Sequence, residues 1–178
     1  MSVSSTAWFL AGATATGKTA VAQALAEKLG CAVLSADAML VYRGMDIGTA
    51  KPTPAERGSV PYFGIDLATP AESFSTGAWL TAAAQALRAT GTASPECGLI
   101  VTGGTGLYIK ALTSGFDSEE ADPARRAHWQ ALFEREGLDA LRRSLAERSP
   151  SALETLADPS NPRRLIRALE HLDARGRL

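Results

Sequence analysis

Gly12, Gly17, Lys18 and Thr19 have the types and spacing of a phosphate grip, G-x-x-x-x-G-K-[ST]. In such a loop the glycines let the backbone curl and the main-chain N–H groups turn toward an anion. Here that loop is Gly12, Ala13, Thr14, Ala15, Thr16, Gly17, Lys18 and Thr19. Lys18 reaches the outer oxygens, and the Thr19 hydroxyl is placed to ligate Mg²⁺. The pattern is specific for phosphate and silent about which phosphate compound. In "CGLIVTGG", the strand that carries a magnesium aspartate in a hydrolase, no aspartate follows the apolar run.

Three further groups have chemistry to offer. Asp37 closes the run "CAVLSAD". A carboxylate there can hold metal through water, bind a sugar, act as general base, or simply cap the following turn. Thr105 follows two glycines in "VTGGTGLY", where a hydroxyl and bare backbone suit a bridging or leaving-group oxygen. Taken alone, a helix-capping threonine is its more ordinary explanation. In "NPRRLIRALEHL", Arg163 and Arg167 are i,i+4 neighbours with Arg164 on the flank. Guanidinium groups so placed grip a nucleic-acid backbone, or form a solvated face paired with Glu170 or Asp173. His128 and His171 have no partners at ligand spacing and are assigned no role.

The elements that must hold these groups are legible in outline. "AWFLAG" reads as a strand leading into the loop, and "KTAVAQALAEKL" as a helix whose Val21, Leu25 and Leu29 recur at helical spacing until Gly30 stops it. "CAVLSAD" is a second strand, parallel to the first, so Asp37 and the loop share one rim of the sheet. Residues 39–70 are rich in Gly, Pro and Thr, with only "FGIDL" strand-like. Ser75 caps a helix running to Gly91, Cys97 to Gly104 forms a buried strand, and "TGLYIKAL" is a helix. Beyond Gly115 no strand-like run remains. Asp122-Pro123 and Asn161-Pro162 open helices that Gly137 and Gly176 close, with Leu165, Ile166, Leu169 and Leu172 on one face of the second. The expected architecture is an α/β P-loop NTPase-like parallel sheet core at 1–115 with a helical lobe at 116–178.

Composition bounds the rest. The chain has 178 residues, 46% of them apolar, with net charge -1. It is long enough for one buried core, and no bulk basic field marks it for nucleic acid. Every lysine lies at or before Lys110, and every later cation is arginine, which marks a two-part chain. Cys31 and Cys97 lack metal or redox spacing and are read as reduced thiols of a cytosolic protein. The N-terminus lacks the basic residues of a signal peptide, and no apolar run approaches the roughly 20 residues of a membrane span.

At "SADAMLVYRGMDIGTAKPTP", Ser35 to Pro54, the chain resembles the tRNA dimethylallyltransferases, also called tRNA isopentenyltransferases. "GATATGKT" is similar to that family's Gly-Pro-Thr-Ala-Ser-Gly-Lys-Thr loop. "VTGGTGLYIKAL" looks like its Val-Gly-Gly-Thr-Gly-Leu-Tyr segment, and "NPRRLIRALE" its Asn-Pro-x-Arg-x-x-Arg-Ala-Leu-Glu helix. The four motifs stand in the family's order. Ala13 and Thr16 replace the loop's usual proline and serine, Ala38 and Leu40 replace a common Ser and Gln, and "VPYFGID" replaces a Val-Pro-His-His segment. The resemblance covers nearly all of this chain and little more than half of a typical member, so the chain reads as lacking the family's C-terminal portion.

The resemblance implies transfer of a dimethylallyl group from its diphosphate to the exocyclic amine of the adenosine 3′-adjacent to the anticodon. It implies Asp37 as general base and Thr105 as the hydroxyl at the reacting centre. Asp37, Ala38, Met39 and Leu40 fall where the family touches the extruded adenosine. Arg126 and the run Arg163, Arg164, Leu165, Ile166, Arg167 fall where it contacts tRNA. Mg²⁺ is the implied cofactor, dimethylallyl diphosphate and the anticodon stem-loop the partners, and a cytoplasmic monomer with no membrane attachment the expected form. Alternatives are an adenylate isopentenyltransferase, a P-loop small-molecule kinase, or a noncatalytic or truncated relative that binds diphosphate or RNA.

Overall fold

The computed structural model describes residues 6–13, 15–93, 98–115 and 122–175. Thr14, Cys97 and Gly176, each named above, lie outside the described residues. The chain divides into two compact units, Met1–Asp117 and Ser118–Leu178.

The first unit is a four-stranded parallel sheet of β1 (Ala7–Ala11), β2 (Ala32–Ser35), β3 (Tyr62–Phe63) and β4 (Leu99–Gly103), in the order β1-β4-β2-β3. Helices α1 (Lys18–Leu29), α2 (Pro54–Arg57) and α3 (Thr76–Ala93) connect them, and α4 (Gly106–Ser114) follows β4. The central strands β2 and β4 are buried throughout, which explains their unbroken apolar runs. Alternate residues feed two cores. Leu34, Leu99 and Val101 pack with Trp79, Ala83 and Tyr108, while Val33 and Ile100 pack with Ala22 and Ala26 of α1.

The apolar stripe of α1 does not face that core. Val21, Leu25 and Leu29 are 49%, 40% and 55% exposed, and the small Ala22 and Ala26 carry the helix against the sheet. Gln23 fixes the rotation, because its side chain accepts from Tyr62 Oη at 2.9 Å and donates to the Arg57 carbonyl at 3.0 Å. With about 100° between successive residues, the opposite flank, Val21 and Leu25, turns toward the β1 edge. Trp8 and Phe9 of β1 are exposed there as well. Alanine permits a closer helix-to-sheet approach than a leucine stripe, so the geometry selects the smaller face.

Other expectations shift slightly. The strand anticipated at "FGIDL" forms at Tyr62–Phe63 instead, because Gly64 leaves extended backbone with a left-handed φ of 77°. Ser75 accepts from Ala78 N as a cap, but α3 continues past Gly91 to Ala93. Cys31 is disulfide-bonded, which corrects the reduced-thiol reading and removes its support for a cytosolic setting.

The Gly- and Pro-rich segment after β2 is tied down by a buried cation. Lys51 Nζ donates to the Tyr42 carbonyl at 2.6 Å and to Asp66 Oδ1 at 2.6 Å, and lies 2.9 Å from Asp46 Oδ1. Backbone bonds from Leu67 N and Ala68 N to the Val41 carbonyl, and from Arg43 N to the Ala68 carbonyl, close the segment from the other side.

In the second unit α5 (Pro123–Glu136), α6 (Leu138–Arg148), α7 (Pro150–Thr155) and α8 (Pro162–Arg175) enclose Trp129, Leu141, Leu145, Leu165, Ile166, Leu169 and Leu172. Asp122 and Asn161 cap α5 and α8 as their sequences require. Asp173 accepts from Trp129 Nε1 at 2.7 Å and pairs with Arg148, whose guanidinium lies 5.6 Å from the centre of the Trp129 ring.

Lys51→Met should lower stability by about 2–3 kcal/mol in urea titration, less than for a fully buried pair because both carboxylates reach water. Burial alone would pull the Lys51 pKa down, but the hydrogen bonds to Asp46 and Asp66 outweigh it and hold the group above its ordinary 10.5. A raised lysine stabilises fully below its unfolded value and loses that contribution as pH climbs through the folded one. The gap between wild type and Lys51→Met should therefore narrow above pH 10.5.

Candidate active site

The phosphate loop leaves β1 at Ala11 and enters α1 at Lys18. Ala15 and Gly17 take left-handed φ of 65° and 80°, and this curls the chain. Gly17, the N-cap of α1, supplies no side-chain cap, so the first N–H groups of the helix keep no side-chain acceptor. Lys18 Nζ lies against the Ala13 carbonyl and 3.4 Å from Thr16 Oγ1, while Thr16 Oγ1 donates to Ala13 O at 2.9 Å. The lysine's charge thus sits within the curl, beside a helix N-terminus that already favours anions.

Asp37 stands at the C-terminal rim of β2, and the end of β4 fixes the backbone on both sides of it. Ala36 N donates to the Thr102 carbonyl at 2.7 Å, and the Ala36 carbonyl accepts from Thr105 N at 3.0 Å. Ala38 N donates to Thr105 Oγ1 at 3.0 Å. Thr105 is the N-cap of α4 but makes no side-chain cap bond, so its hydroxyl serves the Asp37 segment rather than its own helix. One level below, Trp79 Nε1 donates to the Ser35 carbonyl at 2.9 Å. Glycine is obligatory at 103, where an added Cβ would lie 2.3 Å from the Ala36 carbonyl; at Gly104 it would come within 3.6 Å of the Gly12 carbonyl. The phosphate loop, the Asp37 segment and the turn after β4 therefore meet at one rim.

Asp37 is half-buried, and its Oδ1 accepts from Met39 N at 2.8 Å, which leaves Oδ2 for other partners. Trp79 and Tyr108 stack beneath the rim with centroids 4.5 Å apart and planes 13° from parallel. Burial, then Tyr42 and Asp37, push the Tyr108 hydroxyl above its ordinary 10.0, so it stays a protonated donor at neutral pH. Trp79 and Tyr108 escaped the sequence reading because an aromatic at helical spacing is indistinguishable from ordinary core.

Not every residue expected at the site presents itself there. Ala38 is half-buried and Met39 47% exposed, but Leu40 is only 8% exposed and packs inward, so its side chain is core. Leu165 and Ile166 are likewise buried in the helical unit, because they belong to the apolar face of α8 that meets Trp129 and Leu141. Arg163 and Arg164 are exposed at the start of α8, while Arg167 is half-buried and lies 3.5 Å from Glu170. Arg126 is exposed one turn before Trp129, whose indole bonds Asp173 near the end of α8. Ten residues of helix, about 15 Å, separate Arg163 from Asp173, so Arg126 and the α8 arginines form two cationic points rather than one cluster.

The family model for IPP transferase matches residues 40–178. The chain is 44% identical over 166 residues to tRNA dimethylallyltransferase 2 of Syntrophus aciditrophicus, covering 93% of this chain and 52% of that protein. It is 44% identical over 168 residues to the tRNA dimethylallyltransferase of Thermus thermophilus, covering 94% and 54%. Among solved structures, the full-length tRNA isopentenylpyrophosphate transferase of Bacillus halodurans matches with TM-score 0.61 and 37% identity, over 98% of this chain and 57% of that one. A eukaryotic dimethylallyltransferase seen acting on tRNA shares the fold with TM-score 0.76 at 24% identity, over 94% of this chain and 42% of that one. The chain thus spans about half the length of the curated relatives it matches.

The clamp around Asp37 can be tested without substrate. Gly103→Ala should cost about 1–3 kcal/mol in urea titration by forcing Ala36 away from β4. Thr105→Val should cost about 1 kcal/mol by leaving Ala38 N without its acceptor. Unchanged midpoints would show that the rim tolerates displacement.

Proposed function

The chain belongs to the IPP transferase family, and from that premise we propose that it transfers a dimethylallyl group from dimethylallyl diphosphate to the exocyclic amine of the adenosine 3′-adjacent to the anticodon in tRNA. The carrying observation is the juxtaposition of a lysine-bearing phosphate loop with a backbone-clamped carboxylate on one strand-end rim. A phosphate grip beside a base suits group transfer in which the phosphate is the leaving group.

In this reading loop 12–19 holds the diphosphate, with Lys18 and the N-terminal amides of α1 facing its oxygens. The allylic C–O bond breaks and its electron pair stays on diphosphate, where those donors stabilise the growing charge. The adenosine nitrogen forms the new C–N bond, and its proton passes to Asp37, whose Oδ2 is not engaged by the Met39 turn. Thr105 keeps a hydroxyl proton to donate after accepting from Ala38 N, so it can serve both the clamp and the reacting centre. The base must leave its stack to meet a carboxylate recessed at the rim. Arg126, Arg163, Arg164 and Arg167 supply the contacts to the tRNA backbone.

The chain's donor set fits a magnesium ion that arrives with the diphosphate. No group of three or more His, Cys, Asp or Glu able to hold a metal exists among the described residues, so a resident carboxylate cage is not on offer. Thr19, exposed in the first turn of α1, supplies one hydroxyl oxygen, and Mg²⁺ takes its remaining ligands readily from phosphate and water. When bound it neutralises charge on the leaving diphosphate. Among the described residues no helix is long and apolar enough to cross a membrane. We place the protein in the cytoplasm, with its tRNA substrate, as a monomer.

Incubation of the chain with Mg²⁺, dimethylallyl diphosphate and an anticodon stem-loop should add the mass of one prenyl unit to the RNA, with AMP as the competing acceptor. Prenylated AMP with unmodified RNA would reassign the acceptor. Asp37→Asn should abolish transfer while leaving pyrophosphate affinity nearly unchanged, whereas Lys18→Ala should weaken pyrophosphate binding at least tenfold. An equal loss of affinity in Asp37→Asn would make Asp37 a ligand-binding group rather than a base.

A further inference from the structure

Two buried hydroxyls lie under the phosphate loop with nothing to bond. Ser35 and Thr102 are 3% and 6% exposed, and neither Ser35 Oγ nor Thr102 Oγ1 has a hydrogen-bond partner. They are register partners across β2 and β4, so their side chains stand side by side on one face of the sheet. The face is identified by the residues two positions earlier, Val33 and Ile100, which pack against Ala22 and Ala26 of α1. Ser35 and Thr102 therefore occupy the next rung on the α1 side, nearer the strand ends. Thr102 also pairs with Leu10 of β1, two residues before the phosphate loop opens at Gly12. An unsatisfied buried hydroxyl costs about 1–3 kcal/mol. Two of them side by side, directly below a loop built for an anion, are the polar lining of a site rather than of a core.

We propose that the Ser35 and Thr102 hydroxyls form an outer-sphere seat for the hydrated divalent cation that accompanies the diphosphate, each holding a water of its coordination shell. The proposal rests on the reading of loop 12–19 as a diphosphate grip. Neutral hydroxyls are the fitting chemistry here. A cation already compensated by diphosphate needs oriented water more than further negative charge, and Mg²⁺ retains several waters in protein sites. A hydroxyl accepts from such a water without adding a carboxylate that would repel the departing diphosphate. Thr19, on the first turn of α1, is the hydroxyl already assigned to the ion, and the proposed seat adds two more from the sheet.

Calorimetric titration of inorganic pyrophosphate into the full chain, at stepped Mg²⁺ concentrations, tests this. Thr102→Val keeps the side-chain shape and should raise the Mg²⁺ concentration for half-maximal effect about fivefold, with metal-free pyrophosphate affinity unchanged within about twofold. Ser35→Ala should shift it in the same direction, and Thr102→Ser should restore it. Wild-type Mg²⁺ dependence in both Thr102→Val and Ser35→Ala, with only the melting temperature altered, would reduce the pair to holding a structural water and overturn the proposal. So would an equal affinity loss with and without Mg²⁺. Failure of the wild type to bind pyrophosphate at all would instead overturn the phosphate-grip reading, and the seat with it.

Discussion

The position of Ala36 governs the functional rim. Its N–H and its carbonyl are both committed to the exit of β4, to Thr102 and Thr105, and its neighbour Ala38 is hooked by the Thr105 side chain. Three hydrogen bonds to the exit of β4, two from Ala36 and one from Ala38, thus fix the chain just before and just after the point where Asp37 projects. The close approach is possible only because Gly103 has no side chain to place against the Ala36 carbonyl. The same turn brings Gly104 to Gly12, so the carboxylate and the phosphate loop inherit one coordinate frame.

What could be read from the sequence was whatever local chemistry decides. The phosphate loop, the Gly30 stop of α1, the Asp122 and Asn161 caps, and the buried runs of β2 and β4 are each determined by a few neighbouring residues. Failures came where long-range packing chose between local options. Val21, Leu25 and Leu29 form a good helical stripe, yet with Gln23 reaching β3 and α2 the flank of Val21 and Leu25 is turned out of the core. Leu40, Leu165 and Ile166 fall inside segments expected at the site, but an apolar side chain follows burial rather than motif membership. The disulfide at Cys31 is a long-range pairing that spacing along the chain does not reveal. Helices α6 and α7 went unnamed because their sequences, "LDALRRSLAER" and "PSALET", are too polar or too short for periodicity to single them out.

The segment after Asp37 shows how a loop without regular structure can still be rigid. Lys51 draws Asp46, Asp66 and the Tyr42 carbonyl to one ammonium, and the cross-links from Val41 and Ala68 close the other side. Met39 stays exposed in this otherwise fastened stretch, while Val41 is fully buried beside it. The division of labour follows from side-chain direction. Buried members hold the path of the chain, and the outward ones are left as surface at the rim.

The absence of an aspartate at the end of β4 has a physical counterpart in what stands there. Thr102 and Thr105 are hydroxyls, and Gly103 and Gly104 expose bare backbone. A carboxylate at that place would sharpen the field on a bound metal enough to activate water, and would also repel a diphosphate as its charge grows. Neutral oxygens avoid both effects. Asp37 stands instead one strand away, two residues past the end of β2. In the sheet order β4 lies between β1, which feeds the phosphate loop, and β2, which leads to Asp37, so the loop and the carboxylate stand on one rim with a strand between them.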